Sequence, residues 1–380
     1  MLNLHLIDNK NNMPAFINAI GSAVPQNCID QQQIADFMCS ALQLDAVETR
    51  KLKALYRQTK IVKRHSVIGD YACEVKDFTF FPPTPDLEPF PTILPRMLSY
   101  RKYALPLCIE AVNNCFEKIG KNKLSELTHL ITVSCTGMYA PGLDIDLVQY
   151  YDLNTTIKRT CINFMGCYGA FNALKLADSI CKSEASAKVL IVSVELCTLH
   201  FQKKISDNNL LSNALFADGA AAVFLESSPN PLGISLLLKS FYCDLFEEGK
   251  QEMEWNIADF GFEMVLSSNV PKIVKEGVKI LIDKLLENNH LSMEDIDLFA
   301  MHPGGRAILE AIEKALSLDK ESNRFAYEVL ANYGNMSSAT VLFVLKNIMN
   351  QLSETDKSKN ILSCAFGPGL TLESMILEVV

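Results

Sequence analysis

The stretch TCINFMGCYGAFNALKLADSICK, residues 160–182, starts with a β-rich pattern and continues with a helical one. The change falls at about Cys167, where Gly166, Gly169 and Ala170 permit a tight turn and the close approach of another backbone segment. We therefore predict a strand that leads into a helix beginning at Cys167. A strand followed by a helix is a building unit of layered α/β folds.

Short apolar runs alternate with longer helical patterns along the rest of the chain. Several runs are continuously apolar, which is typical of strands buried on both faces of a sheet. The helical spacing is clear in 271–288, where Val274, Val278, Leu281 and Leu285 share one face. The predicted strands are 129–135, 188–196, 220–226, 298–302, 361–367 and 374–380, and the predicted helices are 105–118, 167–182, 271–288, 303–316 and 337–352.

The order strand, helix, strand occurs twice, although no sequence repeat accompanies it. A length of 380 residues is about twice that of a usual domain, which allows two similar halves. Proline and glycine cluster in SSPNPLG, residues 227–233. We therefore predict an N-terminal half, 1–230, that carries the cysteine introduced above, and a C-terminal half, 231–380.

Composition excludes some classes of protein. Hydrophobic residues make up 49% and charged residues 21%, as in ordinary globular domains, and a net charge of -9 argues against a nucleic-acid binder. Asp8 and several asparagines stand where a secretory signal needs an apolar core, and no apolar run reaches the roughly 18 residues that span a bilayer. We expect a cytoplasmic protein. The segment 78–95, rich in proline and aromatic residues, is predicted to be an ordered surface loop with buried aromatics.

The cysteine pattern points to reduced thiols. Twelve cysteines are spread over the chain without a C-x-x-C pair, so neither a zinc ribbon nor a thioredoxin-like site is indicated, and no metal is predicted. Cys135, Cys197 and Cys364 lie inside apolar runs, as expected for small buried hydrophobes in a reducing compartment. Only Cys167 supports a chemical interpretation.

Cys167 is a candidate nucleophile. A thiol in the first turn of a helix is near the positive end of the helix dipole and near unpaired N–H groups. Such thiols can have pKa values of roughly 3.5–7.5, so we expect a lowered pKa and a reactive thiolate. The neighbouring glycines are equally explained by a helix start packed beside a strand.

His302 and Asn335 are candidate partners of this thiol. His302 ends a predicted buried strand, and strand ends in α/β proteins face the crevice where ligands bind. A core histidine bound to backbone is the alternative. Asn335 precedes an apolar helix, where it serves either as a helix cap or as a donor to a developing oxyanion.

Together these motifs resemble the type III polyketide synthases, the chalcone-synthase-like branch of the thiolase-fold condensing enzymes. The resemblance implies an α/β thiolase-like fold with two similar halves in a layered αβαβα arrangement. It also implies iterative decarboxylative Claisen condensation of malonyl-CoA onto an acyl-CoA starter, which gives pyrone- or resorcinol-type products. The matching stretches, in family order, are NFMGCYGAFNALKLAD (163–178), ALFADGAAAVFLE (214–226), MHPGGRAILEAIEKAL (301–316), NYGNMSSATVLFVL (332–345) and AFGPGLTLE (365–373).

The resemblance assigns roles to individual residues. It implies that Cys167 carries the acyl chain, that His302 pairs with it, and that His302 and Asn335 form an oxyanion hole. The predicted gatekeeper and pocket residues are Phe216, Met264, Cys197, His200, Ser337, Gly367, Pro368, Gly369 and Ala140. Departures from the plant enzymes at Cys197, His200, Met264 and Ala365 leave the starter and the product open.

The resemblance also concerns ligands and partners. It implies no tightly bound cofactor, with acyl-CoA and malonyl-CoA as substrates, and it implies a homodimer in which the loop 135–142, with Ala140, lines the partner's cavity. Lys51 and Arg57, in the basic stretch 51–66, are candidates for binding CoA phosphates; a solvated helix face is the alternative.

Two other functions remain open. A β-ketoacyl synthase III-like enzyme that uses acyl carrier protein, or a hydroxymethylglutaryl-CoA synthase, has the same fold, but the motifs HPGG and GPGLTLE argue against both. A non-catalytic acyl-binding homologue is argued against by the joint presence of Cys167, His302 and Asn335.

Overall fold

The computed structural model of the protein describes residues 13–380. Its strands are β1 (Phe16–Ala23), β2 (Asn27–Asp30), β3 (Lys63–Ser66), β4 (His129–Ser134), β5 (Lys158–Asn163), β6 (Lys188–Leu196), β7 (Asp218–Glu226), β8 (Leu236–Leu245), β9 (Met253–Ala258), β10 (Gly261–Leu266), β11 (Leu298–Met301), β12 (Asn360–Gly367) and β13 (Thr371–Val379). Its α-helices are α1 (Gln31–Ala41), α2 (Ala46–Gln58), α3 (Ile93–Phe116), α4 (Leu143–Tyr150), α5 (Gly169–Ser183), α6 (Asp207–Leu215), α7 (Val270–Asn288), α8 (Arg306–Leu316), α9 (Arg324–Tyr333) and α10 (Thr340–Gln351).

The strand pairing repeats between the two halves of the chain. Within the described residues a nine-stranded sheet has the order β11-β12-β13-β8-β1-β7-β6-β4-β5. In the first half, β1 is antiparallel to β7 and β7 to β6, and β4 is parallel to β6. In the second half, β8 is antiparallel to β13 and β13 to β12, and β11 is parallel to β12. The halves join where β1 pairs with β8, at Phe16 opposite Leu237.

Three apolar clusters separate the layers of the fold. In the outer cluster of the first half, Leu107 of α3 packs with Leu190 of β6. The central cluster joins Leu174 of α5 and Val341 of α10, so these helices lie between the two halves of the sheet. In the third cluster, Val278 of α7 packs on the outer side of the second half. The predicted αβαβα arrangement is therefore confirmed, because each face of the sheet needs an apolar helix against it.

The predicted elements are present, with shifted ends. The strand 188–196 has its predicted bounds, whereas the helix predicted from residue 105 begins at Ile93 and contains Pro106. The helix predicted from Cys167 begins at Gly169, after a 3-10 turn at Gly166–Tyr168. The helices predicted from residues 303 and 337 begin at Arg306 and Thr340, because the preceding residues form turns.

The other sequence predictions have mixed outcomes. In the irregular segment 78–95, Phe81 and Phe90 are buried as predicted, although its last residues belong to α3. Within residues 13–380, no helix is long and apolar enough to cross a membrane. The prediction about the N-terminal signal falls mainly on residues 1–12, outside the described part. The division at residue 230 and the cytoplasmic location stay predictions.

Strand β1 lies directly against the backbone of α3 at one glycine. A Cβ atom at Gly21 would stand 2.1 Å from the Ala111 oxygen and 2.2 Å from the Cys115 nitrogen. Backbone atoms of a packed helix cannot move aside as a side chain can. Helix α3 can therefore approach strand β1 this closely only because residue 21 has no side chain.

We expect Gly21→Ala to lower the free energy of unfolding by about 1–3 kcal/mol, the usual cost of overpacking a core. Gly69→Ala is the matched control, because the nearest atom to its added Cβ is the Asn27 side-chain oxygen at 3.6 Å. Urea unfolding of both variants measures the difference. Equal stability of Gly21→Ala and wild type would contradict the close contact.

Candidate active site

Cys167 lies in a turn that only a glycine allows. Gly166 has φ of 75°, and a Cβ there would stand 2.2 Å from the Cδ of Pro368. Pro368 belongs to the turn between β12 and β13, in the other half of the chain. The turn of Cys167 therefore packs directly against the second half, and the Cys167 side chain is 7% exposed.

His302 follows the last residue of β11. Its backbone N–H donates to the Cys364 oxygen at 2.9 Å, which continues the parallel pairing with β12. Its imidazole is fully buried, and neither ring nitrogen has a hydrogen-bond partner among the described residues. A core histidine bound to backbone is thus not what the structure contains, because such a ring would have its nitrogens satisfied.

The backbone of Asn335 is fixed by the first half of the chain. Its N–H donates to the Leu215 oxygen at 2.9 Å, and its oxygen accepts from the Ala217 N–H at 2.8 Å. The side-chain Oδ1 accepts from the Ser337 N–H at 2.8 Å, and Nδ2 donates to the Gly304 oxygen at 3.2 Å. Asn335 is not the cap of α10, whose cap position is Ala339.

One cavity of about 470 Å³ brings the three predicted residues together. Its walls are largely apolar, and both Oδ1 and Nδ2 of Asn335 lie 4.0 Å from the Cys167 Sγ. An apolar cavity with a few convergent polar groups is the usual form of a small-molecule site. The other predicted pocket residues that line it are Phe216, Met264, Cys197, Ser337 and Pro368.

The remaining predicted pocket residues do not line this cavity. A Cβ at Gly367 would stand 2.7 Å from the Tyr168 ring, and one at Gly369, with φ of 73°, would meet no atom within 4 Å. Gly367 thus packs against the turn of the nucleophile. Ala140 is exposed, in the loop before α4.

His200 has a structural role beside a smaller cavity of about 40 Å³. Its Nε2 donates to the Thr136 oxygen at 2.7 Å, its Nδ1 accepts from the Phe262 N–H at 3.0 Å, and its ring stacks on Phe262. Burial lowers the pKa of His200 to about 3. Because both nitrogens are satisfied in the neutral form, the ring has no free group for chemistry.

Two residues beside the site were missed in the sequence. Trp255, the single tryptophan of the chain, lines both cavities and donates from Nε1 to the Cys135 oxygen at 2.7 Å. Only the pairing of β9 and β10 brings it there, so no sequence pattern reveals it. Glu195 is different, because a glutamate near the end of the apolar strand KVLIVSVEL is an observable signal.

Glu195 is fully buried and bound by three donors. Its carboxylate accepts from the Cys135 N–H at 3.0 Å, from the Thr136 hydroxyl at 2.8 Å and from the Ser338 hydroxyl. Burial nevertheless raises its pKa to about 7, since these donors offset only part of the loss of water.

Burial also favours the neutral forms of Cys167 and His302. It raises the pKa of Cys167 to about 12, although hydrogen bonds from Ser337 and Asn335 act in the opposite direction. It lowers the pKa of His302 to about 3. The expected lowered pKa of the thiol is therefore wrong, because loss of water outweighs the effect of the helix start.

The predicted CoA-binding cations lie away from the cavity wall. Lys51 and Arg57 are exposed on α2 and are not among the residues that line the cavity. The exposed residues that do line it are Gln58, Ser268 and Ala307, which therefore mark its mouth. Within residues 13–380, no group of three or more His, Cys, Asp or Glu side chains could hold a metal ion.

The pH dependence of stability should reveal Glu195. Its carboxyl ionises near 4.5 ordinarily and near 7 in the folded protein, so between these values the folded state holds a proton that the unfolded state has released. Stability then falls as pH rises. Relative to Glu195→Gln, wild type should lose about 3 kcal/mol between pH 4.5 and pH 8. Urea unfolding of both proteins across this range measures it, and a constant difference would refute the raised pKa.

Solved structures establish the class of protein. The C-terminal type III polyketide synthase domain of Steely1 from Dictyostelium matches with a TM-score of 0.86 and 27% identity, covering 96% of this chain and 99% of that one. PKS-I from the brown alga Ectocarpus siliculosus matches with a TM-score of 0.90 and 25% identity, covering 98% and 100%. The fold is the thiolase-like fold of the type III polyketide synthases.

Sequence comparison gives the family. Residues 6–229 match the N-terminal domain of the chalcone and stilbene synthases, and residues 238–380 match their C-terminal domain. The chain belongs to the chalcone and stilbene synthase family and is a type III polyketide synthase, an acyltransferase.

Curated relatives agree with this assignment. The alpha-pyrone synthesis polyketide synthase-like protein Pks18 of Mycobacterium tuberculosis is 27% identical over 369 residues, which is 96% of this chain and 91% of that protein. Type III polyketide synthase A of Arabidopsis thaliana is 29% identical over 372 residues, covering 96% and 92%.

Proposed function

We propose that this enzyme extends an acyl-CoA starter with malonyl-CoA by iterative decarboxylative Claisen condensation on Cys167. The observation that carries the proposal is that Cys167, His302 and Asn335, far apart in sequence, line one apolar cavity. The acyl chain is held as a thioester on a cysteine, which divides a difficult bond formation into easier steps.

Loading of the starter requires a base that takes the proton of the Cys167 thiol. As the Cys167 sulfur attacks the thioester carbonyl of the starter, its proton passes to a ring nitrogen of His302. The carbonyl carbon gains a bond to Cys167 and loses its bond to the CoA sulfur. The departing CoA thiolate takes the proton back from His302 and leaves as free thiol. His302 suits this exchange because its ring nitrogens have no other partner among the described residues.

The extender then loses CO₂. The electron pair of the bond to the malonyl carboxylate forms an enolate, whose oxygen accepts hydrogen bonds from His302 and from Nδ2 of Asn335. Phe216 presents an apolar surface that disfavours the carboxylate and favours neutral CO₂. The enolate carbon attacks the thioester on Cys167, the bond between the acyl carbon and the Cys167 sulfur breaks, and the released Cys167 thiolate takes up a proton from solvent. Transfer of the longer chain back to Cys167 starts the next round, without a metal or a tightly bound cofactor.

We propose a fatty acyl starter and an alkylpyrone or alkylresorcinol product. Met264, a flexible side chain in the cavity wall, and the apolar character of the other walls support an alkyl chain as occupant. The relative Pks18 carries alpha-pyrone synthesis in its name. Use of malonyl bound to acyl carrier protein, or acyl binding without turnover, are the competing functions that the assay below separates.

We expect wild type to convert malonyl-CoA and long-chain acyl-CoA into pyrones or resorcinols, and Cys167→Ala to form none, since the acyl chain then has no carrier. Mass spectrometry of reactions with short, aromatic and long acyl-CoA starters measures both points. Cys181→Ala is the matched control, because this buried thiol on α5 lies outside the cavity. If only short or aromatic starters react, the fatty acyl proposal fails. If only malonyl bound to acyl carrier protein is consumed, a ketoacyl synthase is the better assignment.

We also propose a homodimer in which the loop 135–142, with exposed Ala140, lines the partner's cavity. The outer strand β5 supports an interface on this side, because its residues are largely exposed and, among the strands of residues 13–380, only β4 pairs with it in the sheet. Unpaired strand edges are surfaces on which another chain can pair.

Sedimentation equilibrium should therefore give a mass twice the 42.3 kDa of the chain. Ala140→Trp should change the starter preference of the dimer, because the indole would narrow the partner's cavity. A monomeric mass at micromolar concentration would refute the dimer, and an unchanged starter preference would place Ala140 elsewhere.

A further inference from the structure

The reaction cavity has one cation at its wall. Among the described residues that line it, Arg306 is the only lysine or arginine, and Glu310 is the only carboxylate. Both belong to α8, whose first residue is Arg306. The neighbouring lining residues Gln58 and Ala307 are exposed, so this charged pair stands at the mouth of the cavity, whereas Cys167 is in its buried part.

We propose that Arg306 binds the phosphate of a phosphorylated pantetheine carrier, and thereby holds the acyl donor while its thioester lies at Cys167. This proposal rests on the condensing function proposed above. The pantetheine arm is an uncharged linker between the thioester and the phosphate, so it fits the largely apolar cavity. With the thioester in the buried part, the phosphate lies at the mouth. A guanidinium forms paired hydrogen bonds to phosphate oxygens and is therefore well suited to this ligand.

The position of Arg306 is defined by two neighbouring contacts. Its Nε donates to Oε1 of Glu310 at 2.7 Å, and its Nη1 donates to the Gln58 oxygen at 3.5 Å. The second contact links the start of α8 to the end of α2 across the mouth. Since Nη2 is not used in either contact, the guanidinium retains donors that can reach a phosphate.

Glu310 is expected to compete with the phosphate for the guanidinium of Arg306. Both side chains of the pair are 39% exposed, so the ion pair is a weak surface interaction that an anionic phosphate can replace. Glu310 holds Arg306 on the helix surface through this contact. Removing its charge should therefore strengthen binding of the phosphate, whereas removing Arg306 should weaken it.

This assignment differs from the one made on the sequence. Lys51 and Arg57 stand on α2, in the stretch where the family resemblance places such cations, but the part of α2 at the mouth is formed by Leu55, Gln58 and Thr59. None of these three is charged. The structure thus places the phosphate-binding charge on α8 instead of α2.

The test combines a truncated substrate with side-chain variants. Values of kcat and KM are measured for malonyl-CoA and for malonyl-pantetheine, which has no phosphate. With Arg306→Ala we expect KM for malonyl-CoA to rise about fivefold, with kcat within twofold of wild type and KM for malonyl-pantetheine unchanged. Arg306→Lys should retain part of the affinity, Glu310→Gln should lower KM for malonyl-CoA, and the effect of Arg306→Ala should shrink at high salt.

Arg57→Ala and Lys51→Ala are the matched controls. If either of them, instead of Arg306→Ala, raises KM for malonyl-CoA alone, the phosphate is bound on α2 and the proposal is wrong. An equal rise for both substrates with Arg306→Ala would also overturn it, because the residue would then act on something other than the phosphate.

Two further experiments are needed. One identifies the carrier of the phosphate, and the other tests the phosphate site independently of the condensing activity. Malonyl bound to acyl carrier protein has the same phosphopantetheine, so a rise in KM for that substrate with Arg306→Ala assigns the same site to a protein-borne phosphate. The fluorescence of Trp255, which lines the cavity, reports binding of CoA and of pantetheine without turnover. If wild type is inactive, the proposed condensing function is wrong. If Arg306→Ala then weakens binding of CoA but not of pantetheine, the phosphate site is nevertheless supported. If Arg306→Ala weakens the binding of CoA and of pantetheine equally, Arg306 does not bind the phosphate and the proposal is wrong.

Discussion

The active site depends on direct contact between the backbones of the two halves of the chain. The turn that carries Cys167 contacts Pro368 with no room for a side chain at Gly166. At a second contact between the halves, Leu215 and Ala217 of the first half form backbone hydrogen bonds on both sides of Asn335. Packed backbones move little, so the relative positions of thiol and amide are set by the fold and not by the rotamers of long side chains.

The same close packing determines the electrostatics. A site shaped by backbone contact and lined with apolar side chains has little water, and loss of water favours the neutral forms of both Cys167 and His302. Buried Glu195 acts in the same direction on the thiol, because a negative charge nearby disfavours a thiolate. Charge separation therefore belongs to the encounter with substrate. A neutral thiol at rest is also less exposed to oxidation than a thiolate.

The cavity changes in character from its buried end to its mouth. Near Cys167 the walls are apolar and the polar groups are few, whereas near α8 the ion pair of Arg306 and Glu310 meets solvent. This change from apolar to charged surroundings fits a substrate with an acyl thioester at one end and a charged phosphate at the other. Trp255 and Met264 stand between the main cavity and the smaller one beside His200, so these side chains limit the space for the growing chain.

The sequence by itself determined the strand 188–196 and the alternation of strands and helices, and its motifs singled out Cys167, His302 and Asn335, which line one cavity. These features depend on local periodicity and on short motifs. The sequence did not determine the raised pKa of the thiol, the satisfied nitrogens of His200 or the place of Trp255. Those properties come from burial and from contacts between residues far apart in the chain. Desolvation and long-range packing exist only once the tertiary structure has formed, and they decided which side chains face the cavity and which cation stands at its mouth.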